Sequence, residues 1–507
     1  MIKNYLKQIF FIVLLTLLFK PLWIFDLNNL GSFGEDDLSY WLHSSTVAFD
    51  FDLNYLDDYL YDEKNFVKDK NTPYHPPGAG FMNAGFVALF DIFENDANIE
   101  KKRLNPIGTL GYLGFFIGNL FYLFFGFLLL MKTLKFLDIY YPLIIHLAFL
   151  STLVHFSTTR FLMSHVGEFF ISSVLVYLFF TKKIFTNFDI SIIYFAFGLL
   201  IFVRPSTFLY SIILFILFRK KIFTKSNVSI NIICFVIVFS IYSLISSKLY
   251  NSLTFLFNPG INHTGNILIN FSISEFIEKF LRIPALFFST NMGILFSTPI
   301  IFLGFFGLII YLKSFKYKTD KLLFLSYILA PFLMSIIWQG YEVSYGQRLF
   351  IGVIPIFSIL SGVAFKKFKM NLISLVLFGN TVLGYLMFYT NNLLTLREGI
   401  NLWGVTTKFT AENYYVYLYT YLFDIETVFT FFTKNIYFVY FLRNVNSSLL
   451  ITLSNNLGIN EQNLSKIIDL QNKYIEYSAG YTNLYFLSIL IFSFLFVYFF
   501  KYPVIKN

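Results

Sequence analysis

Residues 107–131 read IGTLGYLGFFIGNLFYLFFGFLLLM, a run of 25 positions without one charged side chain. Because an α-helix rises about 1.5 Å per residue, about 20 such residues cross the hydrocarbon core of a bilayer. Lys132 and Lys135 follow the run directly, and basic residues in this place are typical of the cytoplasmic flank of a membrane span. The run therefore predicts a transmembrane helix.

Composition extends this prediction to the whole chain. Hydrophobic residues make up 57% of the 507 positions and charged residues 13%, whereas a soluble globular chain has about 25% charged residues. The mean hydropathy is +0.66. The single cysteine, Cys234, excludes an intrachain disulfide and a cysteine-based metal site. These values argue against a soluble enzyme and a disordered chain, and they predict an all-α, polytopic membrane protein.

Further apolar runs bring the predicted number of transmembrane helices to about twelve. They lie near residues 8–25, 107–131, 139–157, 161–181, 188–203, 205–218, 229–247, 292–312, 322–338, 349–365, 371–390 and 483–500. Lys3 and Lys7 precede the first run and no small-residue cleavage site follows it, so we interpret it as an uncleaved signal anchor. With a cytoplasmic N-terminus, alternate segments hold 19 basic residues against three acidic ones, as the positive-inside rule requires.

This topology divides the chain into three parts. Residues 1–390 form the predicted transmembrane core, 391–482 an extracytoplasmic loop or small cap, and 483–507 the last span with a cytoplasmic tail. Loop 26–106 also faces outward, as does loop 248–291, and residues 76–95 predict a short interfacial helix within the first loop. Because the basic residues lie in cytoplasmic segments, the net charge of +9 does not indicate nucleic-acid binding.

Acidic residues open the first outer loop. Glu35, Asp36 and Asp37 are adjacent, and Tyr40 follows them. Acids are common in exported loops and at helix N-termini, where the helix dipole favours them. They are also candidates for a general base or a metal ligand that faces a lipid-borne substrate. In the same loop, Tyr74-His75-Pro76-Pro77-Gly78 predicts a helix start, and His75 is a candidate for proton transfer.

Arginines mark the predicted outer ends of four spans, namely Arg160, Arg204, Arg282 and Arg348. One such residue can simply extend to the interface. Four of them, on the side that the positive-inside rule keeps poor in arginine, favour an anionic lipid head group as ligand. Tyr345 is placed to share a helix face with Arg348.

One predicted span begins with two ionisable residues. His165 and Glu168 are three positions apart and therefore share a helix face. They are either a structural pair that holds neighbouring helices or a functional pair.

The order of these features resembles the GT-C superfamily of membrane glycosyltransferases, in particular the bacterial branch related to protein mannosyltransferases and the lipid A aminoarabinose transferase. The resemblance covers residues 1–365. It rests on Gly34 to Tyr40, on His75-Pro76-Pro77-Gly78, on Met163-Ser164-His165, on Val203-Arg204-Pro205, on Leu286 to Leu308, and on Ser344 to Arg348 with Pro355 downstream.

The resemblance implies an inverting transfer of a sugar from a polyprenyl-phosphate donor to a lipid, glycan or protein acceptor. It implies a multi-pass protein of the bacterial inner membrane, with its active site facing the periplasm or exterior. Asp36 and Asp37 take the places of the branch's Asp-Glu pair, and Glu35 is an extra acid. Because members of the superfamily differ in metal use, the resemblance leaves open a divalent metal, Mg²⁺ or Mn²⁺, and it points to no other cofactor.

Two other classes remain open on the sequence. An O-antigen polymerase or ligase also handles polyprenyl-linked sugars outside the membrane, although those proteins carry their large loop late in the chain. A transporter of lipid-linked glycans needs polar residues along a path through its spans. The spans of this chain are nearly free of charge, which argues against a transporter.

Overall fold

The computed structural model describes residues 35–55, 72–94, 99–104, 106–158, 160–254, 286–287, 294, 298–337 and 348–368. The predicted spans 8–25, 371–390 and 483–500 and the predicted cap 391–482 lie outside these residues. So do two predicted site residues, Tyr345 and Arg282.

The described part is built from α-helices and short 3₁₀ segments, and it contains no β-strand. The first helices are α1 Glu35–Phe49, α2 Gly78–Asp91, α3 Ile99–Leu104, α4 Leu110–Phe136, α5 Pro142–Phe149, α6 Thr152–Thr158 and α7 His165–Thr181. They are followed by α8 Asn187–Val203, α9 Pro205–Leu217, α10 Arg219–Ile222, α11 Val228–Tyr250, α12 Pro299–Tyr311, α13 Lys318–Ile337 and α14 Ile354–Phe368. The 3₁₀ segments are Lys225–Asn227, Leu312–Ser314 and Arg348–Val353.

Four segments are long and apolar enough to cross a membrane: Leu110–Phe136, Lys225–Tyr250, Lys318–Ile336 and Arg348–Phe368. Helices α7, α8, α9 and α12 are apolar but shorter. The described part is therefore all-helical with four candidate membrane spans, which is consistent with the expected membrane protein, and the count of about twelve spans stays a prediction. The sequence also placed the helices near their observed bounds, including the break between α8 and α9, where Pro205 starts the new helix.

The chain departs from prediction at residues 139–157, which form two short helices instead of one continuous helix. The break falls at Leu150 and Ser151. The Ser151 hydroxyl donates to the carbonyl of Ala148 and accepts from the amide of Leu153. Such local side-chain hydrogen bonds compete with the backbone hydrogen bonds of a helix. A prediction based on hydrophobic runs alone does not take them into account.

Helix α2, predicted to be a short interfacial helix, packs with one face between α1 and α4 and leaves Gly85 and Leu89 exposed on the other. Glycine permits the close approach. A Cβ at Gly80 would lie 2.5 Å from Cβ of His43 on α1, and one at Gly78 would lie 2.5 Å from the carbonyl carbon of Phe202 at the end of α8. The His-Pro-Pro-Gly sequence therefore starts the helix, and its glycine brings the helix against the residue pair that precedes Arg204.

The ion pairs of the described residues fall into two groups, because each joins residues predicted to lie on the same side of the membrane. One group, which we call the basic end, contains residues predicted to be cytoplasmic. Lys366 pairs with Asp138 at 2.6 Å, and Arg219 pairs with Asp320 at 3.4 Å. Lys221 donates to the carbonyls of Phe179 on α7 and of Lys182, the residue that follows this helix. The other group contains residues predicted to be outside, and it is described next.

Candidate functional site

The structure brings together the acidic and histidine motifs of the first outer loop. Oδ1 of Asp36, in the first turn of α1, lies 3.2 Å from Nε2 of His75. The Asp36 side chain is 48% exposed and that of His75 is 13% exposed, so the carboxylate remains accessible. The hydrogen bond from His75 holds the pKa of Asp36 well below its usual range, and the charges of Arg160 and Arg348 add to the effect against a cost of burial.

Three hydrogen bonds and one ring stack fix the position of His75. Its backbone amide donates to the Ser39 hydroxyl at 2.9 Å, and its ring stacks on Tyr40 with centroids 4.9 Å apart. Its carbonyl oxygen accepts from Nε2 of His43 at 2.8 Å and from the Tyr250 hydroxyl at 3.4 Å. Because α1 supplies three of these partners, the helix that carries Asp36 also sets where the His75 ring lies.

His43 acts as a neutral hydrogen-bond donor in this arrangement. The His75 carbonyl can only accept, so Nε2 of His43 carries the proton and Nδ1 accepts from the Tyr55 hydroxyl at 2.7 Å. The ring of His43 is fully buried. Burial lowers the pKa of His43 to about 3, because an imidazolium would lose its hydration there.

Asp37, the next residue, has a different environment from Asp36. Its side chain is fully buried, and Oδ2 lies 2.8 Å from Nε of Arg160. A buried carboxylate needs such a partner because the cost of removing it from water is several kcal/mol. Asp37 therefore anchors Arg160, which is 29% exposed, beside the accessible Asp36.

Two further arginines act on the same place. Arg348 opens the 3₁₀ segment Arg348–Val353 and interacts electrostatically with Arg204, Asp36, Tyr40 and Arg160. Arg204 is a buried residue between α8 and α9. Of the four arginines that the sequence placed at the outer ends of spans, the structure brings together the three that it describes.

Glu168 lies beside Arg204 and is fully buried. Oε1 accepts from the Thr207 hydroxyl and from the backbone amide of Gly352, the latter at 3.0 Å. Oε2 lies 3.2 Å from Nδ1 of His165 and 3.9 Å from Nε of Arg204. The predicted pairing of His165 with Glu168 is confirmed, and the structure adds three partners to it. We use the name polar cluster for Asp36, Asp37, His75, Arg160, Arg204, Arg348 and Glu168, together with their hydrogen-bond partners.

Several residues that support this cluster were not predicted from the sequence. His43, Ser39 and Tyr250 support His75, and Thr207 supports Glu168. Ser39 follows Glu35 by one helical turn and His43 follows Ser39 by another, so the helical repeat of polar residues on α1 was a usable signal. Tyr250 and Thr207 come from distant parts of the chain and had none.

A metal site finds little support in this geometry. Among the residues that the structure describes, no group of three or more His, Cys, Asp or Glu side chains is arranged to hold a metal ion. Asp36 and His75 are the accessible candidates, and they pair with each other. The cluster supplies an ionised carboxylate, an adjacent imidazole and three guanidinium groups, which suits an uncharged nucleophile beside an anionic leaving group.

No family model matches the chain, and neither a curated protein nor a solved structure matches it significantly.

Proposed function

We propose that the chain is a membrane glycosyltransferase that moves a sugar, with inversion, from a polyprenyl-phosphate donor to a hydroxyl of a lipid, glycan or protein. The observation that carries the proposal is the accessible Asp36–His75 pair within electrostatic range of Arg160 and Arg348. The Asp36–His75 pair serves a hydroxyl nucleophile, and the two arginines serve a phosphate leaving group.

The arginines are assigned to the donor. A polyprenyl phosphate is an anion at the membrane surface, and its phosphate gains charge as the bond to the sugar breaks. Arg348 opens an apolar segment long enough to cross a membrane, so its guanidinium meets that surface without entering hydrocarbon. Guanidinium holds two phosphate oxygens at once and stays charged at working pH, which stabilises the leaving group in the transition state.

Asp36 is assigned to the acceptor. The acceptor oxygen attacks the anomeric carbon, the bond from that carbon to the phosphate oxygen breaks, and the hydroxyl proton passes to Asp36. Because the pKa of Asp36 lies well below its usual range, the carboxylate is a weak base. It therefore orients the hydroxyl first and receives the proton late, when an oxocarbenium-like sugar has made that proton acidic. His75 holds the carboxylate in place.

The same proposal includes about twelve spans, a bacterial inner-membrane location and a catalytic site outside the cytoplasm. Its support is the pairing of charges: residues expected outside pair with one another, as in the polar cluster, and residues expected in the cytoplasm pair with one another, as at the basic end. The basic end carries the lysines that the positive-inside rule assigns to the cytoplasm.

The direct test is turnover by the purified protein with defined donors. Polyprenyl monophosphate sugars are incubated with short hydroxyl acceptors, and released polyprenyl phosphate is measured. The proposal predicts release from monophosphate donors, with product of inverted anomeric configuration. Turnover only of diphosphate-linked glycans would indicate a polymerase or ligase. Movement of intact lipid-linked glycan across vesicles, without bond cleavage, would indicate a transporter. EDTA and added Mg²⁺ or Mn²⁺ test the metal requirement.

A further inference from the structure

We infer that Glu168 is a positioning residue that holds Arg204 and Arg348 as one clamp for a single phosphate group. The inference rests on the proposed function for the identity of the lipid. It can be tested by binding alone, without turnover. The polar cluster should bind a polyprenyl phosphate more tightly than the neutral polyprenol, and Glu168 should supply much of that difference in affinity.

The contacts of Glu168 reach every element that carries the clamp. The residue itself lies on α7. Oε1 accepts from Thr207 on α9, two residues after Pro205, and from the amide of Gly352, four residues after Arg348. Oε2 faces Arg204 at 3.9 Å. One carboxylate thus ties the α8–α9 junction to the 3₁₀ segment that begins with Arg348.

Electrostatics explain why such a tie is needed. Arg204 and Arg348 carry like charges and repel each other in a setting shielded from water. A flexible pair would separate until a ligand arrived, and the ligand would then bear the cost of bringing them together. A fixed carboxylate between the two elements lowers that cost in advance, which is the general advantage of preorganisation.

The packing around Gly352 shows how tight the junction is. A Cβ at this position would lie 2.5 Å from Cγ2 of Thr207, 2.5 Å from the Tyr210 hydroxyl and 2.7 Å from Oε1 of Glu168. The Gly352 backbone therefore lies closer to the Glu168 carboxylate than a residue with a Cβ would allow. Glu168 is fixed by geometry as well as by charge.

The test measures binding of polyprenyl phosphate and of polyprenol to the full-length protein in the same detergent. Wild type should prefer the phosphate. Thr207→Val keeps the shape of the side chain and removes the hydroxyl, whereas Thr207→Ser keeps the hydroxyl. Because a hydrogen bond to a charged group is lost, Thr207→Val should weaken phosphate binding about tenfold, and Thr207→Ser should stay within about twofold of wild type. Polyprenol binding should not change in either variant.

Glu168→Gln should give a larger loss of the phosphate preference than Thr207→Val. Ser173→Ala is the matched control, because it removes a buried hydroxyl of the same helix that donates, among the described residues, to the carbonyl of Phe169. If Glu168→Gln fails to fold, the Thr207 pair still decides. A wild type without phosphate preference, or a Thr207→Val variant that binds polyprenyl phosphate like Thr207→Ser, would overturn the clamp.

Turnover separates this inference from the proposed function. A protein that prefers polyprenyl phosphate through Thr207 and Glu168 but releases it from no sugar donor would keep the clamp and refute the glycosyltransferase. A protein that turns over donors and shows no effect of Thr207→Val on phosphate binding would keep the glycosyltransferase and refute the clamp.

Discussion

The polar cluster and the basic end both contain ion pairs, but they differ in how much of each charge they remove from water. Asp37 and Glu168 are fully buried in the polar cluster, whereas Asp138 is 84% exposed and Lys366 53% exposed at the basic end. Exposed pairs contribute about 0–1 kcal/mol, and buried ones cost several kcal/mol to desolvate. Asp189 at the basic end is also buried, at 6% exposure, but its partner Lys182 is 42% exposed. We expect the two fully buried carboxylates, Asp37 and Glu168, to be the ones that matter for binding or chemistry.

The largest effect is expected at Asp36. Asp36→Asn keeps the size and hydrogen-bonding reach of the side chain but removes the charge that orients the acceptor and takes its proton. Turnover should fall by about 10²–10⁴-fold, the usual contribution of a positioned acid or base, while the thermal transition changes little. Asp52→Asn, an exposed acid in the same loop, is the control and should behave like wild type. Near-normal turnover of Asp36→Asn would remove Asp36 from the mechanism.

Replacement of Asp37, the adjacent carboxylate, should affect stability more than turnover. Asp37→Asn leaves the Arg160 guanidinium without its counter-charge, and because Asp37 is fully buried the loss acts mainly on folding. We expect a destabilisation of about 2–4 kcal/mol, somewhat below the cost of breaking a wholly buried pair because Arg160 is partly exposed. Thermal unfolding in detergent measures it. Equal thermal stability of Asp37→Asn and Asp36→Asn would show that the two carboxylates are not separated into these roles.

Near neutral pH a smaller effect is expected from His43, and it grows as the pH falls. Burial holds the pKa of His43 at about 3 in the folded protein, whereas an unfolded chain protonates histidine near pH 6.5. Between these pH values the unfolded state binds more protons than the folded state. The stability contributed by the neutral imidazole is therefore fully present above about pH 6.5 and is lost as the pH falls toward 3. The contribution is at most about 1.4 kcal/mol per pH unit.

Replacing His43 by Gln should flatten this dependence, because Gln keeps a donor for the His75 carbonyl and has no proton to gain. Thermal transitions of wild type and His43→Gln at pH 7, 6, 5 and 4 give the comparison. Parallel curves for the two proteins over this range would contradict the assigned neutral, buried imidazole.

The smallest effect is expected at the basic end. Asp138→Asn removes the partner of Lys366, and both side chains are more than half exposed. Stability should change by less than about 1 kcal/mol, with turnover unchanged. A large loss of turnover in this variant would mean that the basic end takes part in function, and the comparison between the two ends would fail.

The sequence predicted the membrane fold because hydrophobic runs of spanning length are a strong and local signal. Helices α4, α8, α9 and α11 lie close to their predicted bounds for that reason. The break inside 139–157 was missed because hydrogen bonds of Ser151 determine it. The candidate site was predictable where charge stood out against apolar surroundings, as at Asp36, Arg204 and Glu168.

Polar residues that are ordinary in composition could not be assigned in this way. Thr207 and Gly352 matter because Glu168 lies 39 and 184 residues away along the chain but in contact in space. Long-range pairing of this kind leaves no trace in a single sequence. The separate roles of Asp36 and Asp37 were likewise hidden, since only the helix orientation decides which carboxylate faces solvent and which faces Arg160.

The central claim is that the polar cluster holds the phosphate of a lipid-linked sugar, and Arg348→Lys tests it most directly. Lysine keeps the charge but offers a single point of contact where guanidinium holds two oxygens. Steady-state kinetics with a polyprenyl monophosphate sugar should show at least a tenfold loss in kcat/KM, since loss of one transition-state donor costs roughly 3–4 kcal/mol and lysine restores only part of it. Unchanged kcat and KM for the donor in Arg348→Lys would make Arg348 an interfacial anchor and contradict the account.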